Sequence, residues 1–338
     1  MSGSSPLWIS EADVVAMMDI GDAIIALEKG LMTEARGQAK NMVKTHVAWG
    51  DGSTLHAIGA VFPKEEFAGT KTWAHTTGGA SPLLILFDSE TGRLKAIIEA
   101  FALGQLRTAS ASGVATNQLA AKDADDFAMI GTGKQAITQV AAVVAVREIK
   151  RIRVFGRNAE RREQFAARVK EEFDVETLTA GSVAEAVAGA SIITVATRAT
   201  EPILVADMIA SGAHINAIGA IVPSRAEIAG DVLDRCSQIV ADSVPQAQKL
   251  SRELIDFFGT ADREGWKRVR SLADLVAAGE SRGAGDDLTL FKSLGMGISD
   301  LALGIELYRK ARAEGFGREF AHPEKAAPRL RRGVEQTV

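Results

Sequence analysis

Residues 128–143, AMIGTGKQAITQVAAV, set two glycines between a short apolar run and a pattern of helical period. A GxGxxA loop is useful only where a strand precedes it and a helix follows. In that setting Gly131 permits the tight turn and Gly133 lets the backbone approach a pyrophosphate. Ala136 is small enough for close helix–strand packing. The helix N-terminus adds free N–H groups and a partial positive charge for an anion. Behind the loop the chain alternates. RIRVFG, a weaker strand at 174–178, SIITVAT, HINAIGA and QIVAD read as strands. Helical patterns at 134–146, 158–172, 181–189 and 205–210 lie among them. Such alternation with β-branched runs predicts a parallel sheet covered on both faces. The chain is therefore α/β, and the loop reads as a dinucleotide site rather than a merely structural turn.

The loop is one part of the candidate cofactor site. The candidate contacts are Gly131, Thr132, Gly133, Lys134, Gln135 and Ala136 in the loop, Arg157 and Asn158 after the second strand, and Ala196, Thr197 and Gly219 after later ones. An acid at the end of the second strand would bind NAD ribose hydroxyls. Here the strand runs into Gly156-Arg157-Asn158, and an arginine can pair with a 2′-phosphate. The residues lean towards NADP, although an arginine stacked on adenine leaves NAD usable. The cofactor expected is NAD(P)H.

A length of 338 residues suggests two domains. Net charge is −4 with both signs interspersed, which gives no nucleic-acid footprint. Cys236 is the sole cysteine, so an intrachain disulfide is excluded and a reducing compartment fits. Five scattered histidines give no metal-ligand spacing. The N-terminal MSGSSPLWISEADVV lacks the basic and apolar regions of a signal peptide, and no apolar run is long enough to span a membrane. A cytoplasmic protein is expected.

The first half has a different character. Residues 11–36 read as one amphipathic helix. MVKTHVAW, TLHAIGAVF, TKTWAHT, PLLILFD and LKAIIEA predict an antiparallel meander, with turns at Gly50-Asp51-Gly52 and near Ser89–Gly92. Residues 102–121 and 296–312 read as helices, and an Arg-rich tail, 313–338, closes the chain. Lys44 and Lys71 fall inside strand-like runs, and lysine is rarely buried without a partner. Each is a candidate anion ligand. Arg107, in RTASASGVAT, can grip a carboxylate bidentately. Solvated surface cations are the alternative for all three.

The lysine of GTKTW, LFDSETGRLKA, LRTASASGVA, IGTGKQA, VFGRN, GAHINAIGA and TLFKSLGMGISDLALG together resemble the ornithine cyclodeaminase/μ-crystallin family over roughly residues 10–312. The resemblance implies a Rossmann domain, expected at 119–304. It also implies an α+β substrate and dimerisation domain, expected at 1–118 plus 305–338. By the same resemblance Lys71 and Arg107 bind the substrate carboxylate, Lys44 stands where an arginine is common, and Thr108 lies beside the phosphates. A homodimer is implied too. In one respect the chain departs. Cyclodeaminases carry an acid after NAIGA, and here Ile221 takes its place, with Arg225 just beyond. Isoleucine neither accepts a proton nor orients an ammonium group.

These features predict an NAD(P)-dependent oxidoreductase that reduces a small 2-imino acid to an amino acid. Lys71 and Arg107 are the expected catalytic residues, and Lys44 and Arg225 further substrate ligands. His46, His56 and His75 are alternative proton donors. Cations in excess of one carboxylate point to iminosuccinate, giving aspartate, with alanine formation as runner-up. A ketimine reductase of other type, a cyclodeaminase, and a ligand-binding protein without turnover are the competing readings.

Overall fold

The computed structural model describes residues 4–50, 52–260 and 263–330. Two sheets organise them. The second half of the chain builds an eight-stranded parallel sheet. Its order is Glu176–Thr179, Arg151–Phe155, Asp126–Ile130, Ile192–Val195, His214–Ala217, Leu288–Lys292, Cys236–Ala241, Val269–Ser271. Its central strands are buried on both faces, and the polar side chains they carry, such as His214 and Asn216, are hydrogen-bonded there. The chain moves outwards from Asp126–Ile130, then returns to its other side at Ile192–Val195. This reversal makes a crevice at the carboxyl ends of the two strands, where open α/β sheets take their ligands.

The first half forms a mainly antiparallel sheet. Phe67–Thr76 lies between Ser53–Phe62 and Leu83–Phe87, and Thr45–Trp49 pairs with Ser53–Phe62. The register opposes His46 to His56 and His56 to Trp73. Side chains alternate between faces along a strand, so Lys71, Trp73 and His75 share one face with His56 and His46. The helix Gly297–Glu314 packs on this sheet. A Cβ on Gly297 would lie 1.8 Å from the Gly59 carbonyl oxygen, so only glycine lets the helix start so close. The division expected at residues 304 and 305 falls inside this helix.

Other differences have local causes. The expected helix 11–36 is two, Glu11–Met17 and Ile20–Ala35, because Asp19 caps the second by accepting from the Asp22 N–H at 2.8 Å. The expected helix 205–210 is a three-residue turn, Ala206–Met208. The tail is not all free: Arg318–Glu319 pairs with Leu7–Ile9. Asp51, in the turn expected at 50–52, lies outside the described residues. The sequence reading contains no strand at Leu288–Lys292, yet this segment is central in the parallel sheet. Among the described residues, no helix is long and apolar enough to cross a membrane.

Candidate active site

The glycine loop sits at the crevice. Gly131 follows Asp126–Ile130 with φ +115°, a conformation open mainly to glycine, and a Cβ there would stand 2.4 Å from the Ala196 oxygen. Gly133 differs: its φ is ordinary, and a Cβ would meet nothing within 4 Å. Ala136 is fully buried at the start of the helix Ala136–Val144. The loop therefore has a fixed base and an open lip, and the lip fits the backbone approach that a pyrophosphate needs. Thr132 packs its side chain against Gly156. Lys134 lies over the Phe101 ring at 5.7 Å, and Gln135 Oε1 is buried without a partner. Arg157 is exposed after the second strand, and Asn158 caps the next helix by accepting from the Arg161 N–H at 2.8 Å.

The neighbouring strand ends are held by one acid. Glu227 accepts from the Thr197 N–H at 2.6 Å, the Thr197 hydroxyl at 2.7 Å, the Gly219 N–H at 2.7 Å and the Ala220 N–H at 3.0 Å. Burial raises the Glu227 carboxyl, and Lys292 opposes that. Lys292 is itself buried and paired with Glu253 at 3.1 Å. Gly219 is a glycine for packing reasons, since a Cβ would sit 2.1 Å from the Thr197 oxygen.

The cations gather over the same edge. Arg107, in the helix Phe101–Leu119, lies against Gly295, where a Cβ would be 2.9 Å from its Nη1. Gly295 follows the strand Leu288–Lys292, and Asp242 fixes that turn by accepting from the Leu294 and Gly295 N–H groups. Lys71 is buried in Phe67–Thr76, and its ammonium donates to Asp300 Oδ1. Arg107 Nε stands 3.4 Å from the same oxygen without hydrogen-bond geometry. Among the described residues, no hydrogen bond engages the terminal nitrogens of Arg107, so its fork is free for a carboxylate.

Burial pulls Lys71 down to about 8; Asp300 raises it, and Arg107 and Lys44 lower it. Lys44 is half-buried, in the connection before Thr45–Trp49 rather than inside the strand as expected. Burial and then Arg107 pull it below the ordinary lysine value, against Asp242 and Asp300. His56 stacks between His46 and Trp73, with ring centroids 5.5 and 4.7 Å away. Burial, with Lys44, His46 and His75 adding to it, lowers His56 to about 4. It is neutral near pH 7, which disfavours it as a proton donor.

The structure thus brings together Lys44, Lys71 and Arg107. Arg225 is half-buried in a turn closed by its N–H on the Val222 oxygen, and among the described residues no hydrogen bond or ion pair ties its side chain to the three. Thr108 neighbours Arg107, but its hydroxyl donates to the Gly104 oxygen at 2.8 Å. The sequence reading misses Asp300. Its signal was a lone acid in the small, apolar run GISDLALG, on a helix face that the sheet covers.

An all-parallel sheet with a glycine loop at its reversal point defines the Rossmann class of α/β protein, here joined to an α+β unit. More specifically, the chain belongs to the ornithine cyclodeaminase/mu-crystallin family, whose model matches residues 6–315. Its relatives include the Delta(1)-pyrroline-2-carboxylate reductase of Bacillus cereus, 30% identical over 78% of this chain and 80% of the relative. The ketimine reductase mu-crystallin of Mus musculus is 32% identical over 67% of this chain and 68% of its own. The Thermococcus litoralis Delta(1)-pyrroline-2-carboxylate reductase, solved with NADH and L-proline, superposes with a TM-score of 0.86. It is 27% identical and covers 93% of this chain and 100% of its own.

Proposed function

We propose that this protein is an NAD(P)H-dependent imine reductase that converts a small 2-imino acid to an L-amino acid. One observation carries the reading: a free guanidinium fork and a buried lysine converge on Asp300, the fork against Gly295 just after Leu288–Lys292, a strand of the same parallel sheet that carries the open glycine lip. The names of the relatives, reductases of C=N bonds, agree with it. In balance, imine, reduced nicotinamide and one proton give amine and oxidised nicotinamide. The cofactor, when bound, supplies the hydride that goes to the imine carbon. The loop 131–136 would hold its pyrophosphate, with Thr108, Ala196, Thr197 and Gly219 around the strand ends and Arg157 and Asn158 on the ribose side. Arg107 holds the α-carboxylate of the substrate. Lys71, as an ammonium, directs its charge and a proton towards the imine nitrogen. Ile221 provides no carboxylate for cyclodeaminase chemistry.

The finer reading is iminosuccinate, reduced to aspartate. Lys44, Lys71 and Arg107 are three cations, Asp300 lies against Lys71 and Arg107, and Asp242 also acts on Lys44, so the site's formal charge is 3 − 2 = +1. Asp300 and Asp242 each take one charge from the count the sequence suggested, and the site stays positive. A charge pair at ~4 Å is worth roughly 4 kcal/mol before desolvation at an effective dielectric of about 20. The competing reading is a cyclic ketimine with one carboxylate, which the relatives' names favour. Freshly made iminosuccinate, Delta(1)-pyrroline-2-carboxylate, and pyruvate with ammonia should be compared at equal concentration, with NADH and NADPH in parallel. Iminosuccinate is expected to oxidise cofactor fastest, with aspartate formed. A faster cyclic imine or pyruvate would end the dicarboxylate reading. No oxidation with any of them would favour a binding protein without turnover.

We also propose a cytoplasmic homodimer. Val47, Trp49 and Leu55 lie on one sheet face and are 58%, 47% and 46% exposed, with Val47 directly opposite Leu55. Such a patch suits burial against a second copy. A sedimentation mass of one chain would overturn it.

A further inference from the structure

Asp300 has no part in the resemblance-based roles, yet among the described residues it is the one carboxylate within ion-pair distance of both candidate catalytic cations. Its side chain is wholly buried at the sheet-facing side of Gly297–Glu314. Oδ1 takes the Lys71 ammonium and lies 3.4 Å from Arg107 Nε, while Oδ2 has no partner. A buried carboxylate is unfavourable unless paired, so its presence calls for a reason. Anchoring the helix is a poor one. The Ile298 N–H already donates to Asn41 Oδ1 at 2.9 Å, Gly297 abuts Gly59, and Ile298, Leu301 and Leu303 are fully buried.

Three elements press charge on Lys71. Arg107 comes from the helix Phe101–Leu119, Lys44 from the connection before Thr45–Trp49, and Asp300 from the C-terminal helix. On its own strand it meets the Trp73 ring, 5.4 Å from Nζ. Asp242 lies further off and acts on Lys44. Without Asp300, a buried ammonium would face two like charges and no opposite one.

We propose that Asp300 is a positioning residue that aligns Lys71 and Arg107 on one oxygen and keeps Lys71 in its ammonium form, so that Lys71 can serve the imine nitrogen. The role rests on the imine-reductase reading for its chemistry, but not for its electrostatics. It does not replace what Ile221 lost: the carboxylate faces the enzyme's cations.

The test is the alkaline limb of activity. With Lys71 at about 8, kcat/KM for imine reduction should fall as pH rises through that region in the wild type. Removing an opposite charge within a few ångströms lowers a lysine's pKa by roughly 1–3 units. Asp300→Asn should therefore move the limb down by about that much, and Asp300→Glu should restore part of the shift. The second readout needs no turnover. Binding of pyrrole-2-carboxylate, a planar carboxylate without a reducible C=N, to the NAD(P)+-saturated protein should weaken along the same limb and shift alike. Analogue binding that shifts in a protein that reduces no imine would uphold Asp300 and refute imine reduction. An Asp300→Asn protein with lower kcat and an unmoved limb would overturn the proposal. Should that variant not fold, Lys71→Arg decides: guanidinium stays charged, so the limb should vanish, and its persistence would overturn the assignment.

Discussion

Gly133→Val is expected to abolish NAD(P)H binding while leaving the fold intact. The contrast with Gly131 makes this a sharp expectation. At Gly131 any side chain meets the Ala196 oxygen at 2.4 Å in a left-handed backbone, so substitution there strains the protein itself. At Gly133 the backbone is ordinary and a Cβ meets nothing within 4 Å. A valine is accommodated by the protein and excluded only by what approaches the lip. If that is a pyrophosphate, two or more charge-assisted hydrogen bonds from the loop are lost, each worth roughly 1.5–3 kcal/mol. The loss in affinity should reach at least about 100-fold, since about 1.4 kcal/mol is tenfold. Fluorescence titration of NADH and NADPH against the variant measures it, with a thermal melt of the cofactor-free protein as control. Unchanged affinity would remove the loop from the cofactor site, and with it the mechanism.

Periodic and local features of the molecule were legible in the sequence. The strand–helix alternation announced the parallel sheet because the central strands are short, mostly apolar runs, buried on both sides and separated by helical patterns. The meander was legible because short β-runs are separated by turn residues. Leu288–Lys292 was hidden because it enters the sheet out of chain order, between His214–Ala217 and Cys236–Ala241. No local signal encodes that insertion. The helix 205–210 failed for the opposite reason, since apolar spacing over six residues cannot distinguish a helix from a buried turn. At the site, Lys71 and Arg107 were read from residue type and context. Asp300 was not, because its meaning lies in a contact across 229 positions of chain. The charge of the pocket is lower than the cations alone suggest, because Asp300 and Asp242 both act on them.

Arg107→Lys is expected to lower kcat/KM by roughly 10- to 100-fold while hardly altering cofactor affinity. The guanidinium lies against Gly295, whose lack of a Cβ lets it come this close. Its Nε faces Asp300 and its terminal nitrogens are free, so the fork is oriented before a substrate arrives. A lysine keeps the positive charge, which holds the site's formal charge and the electrostatic pressure on Lys71 nearly constant. What it loses is the second parallel N–H and the planar fit to a carboxylate. One charge-assisted hydrogen bond is worth roughly 1.5–3 kcal/mol, which gives the stated range. The loss should appear in both kcat and KM, because the α-carboxylate positions the C=N carbon as well as binding it. Steady-state kinetics on the best imine, with NAD(P)H affinity measured separately, separates the outcomes. A variant with near-normal kcat/KM would release Arg107 from the carboxylate and leave Lys44 as the alternative ligand. Equal losses in cofactor and substrate binding would instead show that Arg107 holds the Gly295 turn, and through it the shape of the crevice.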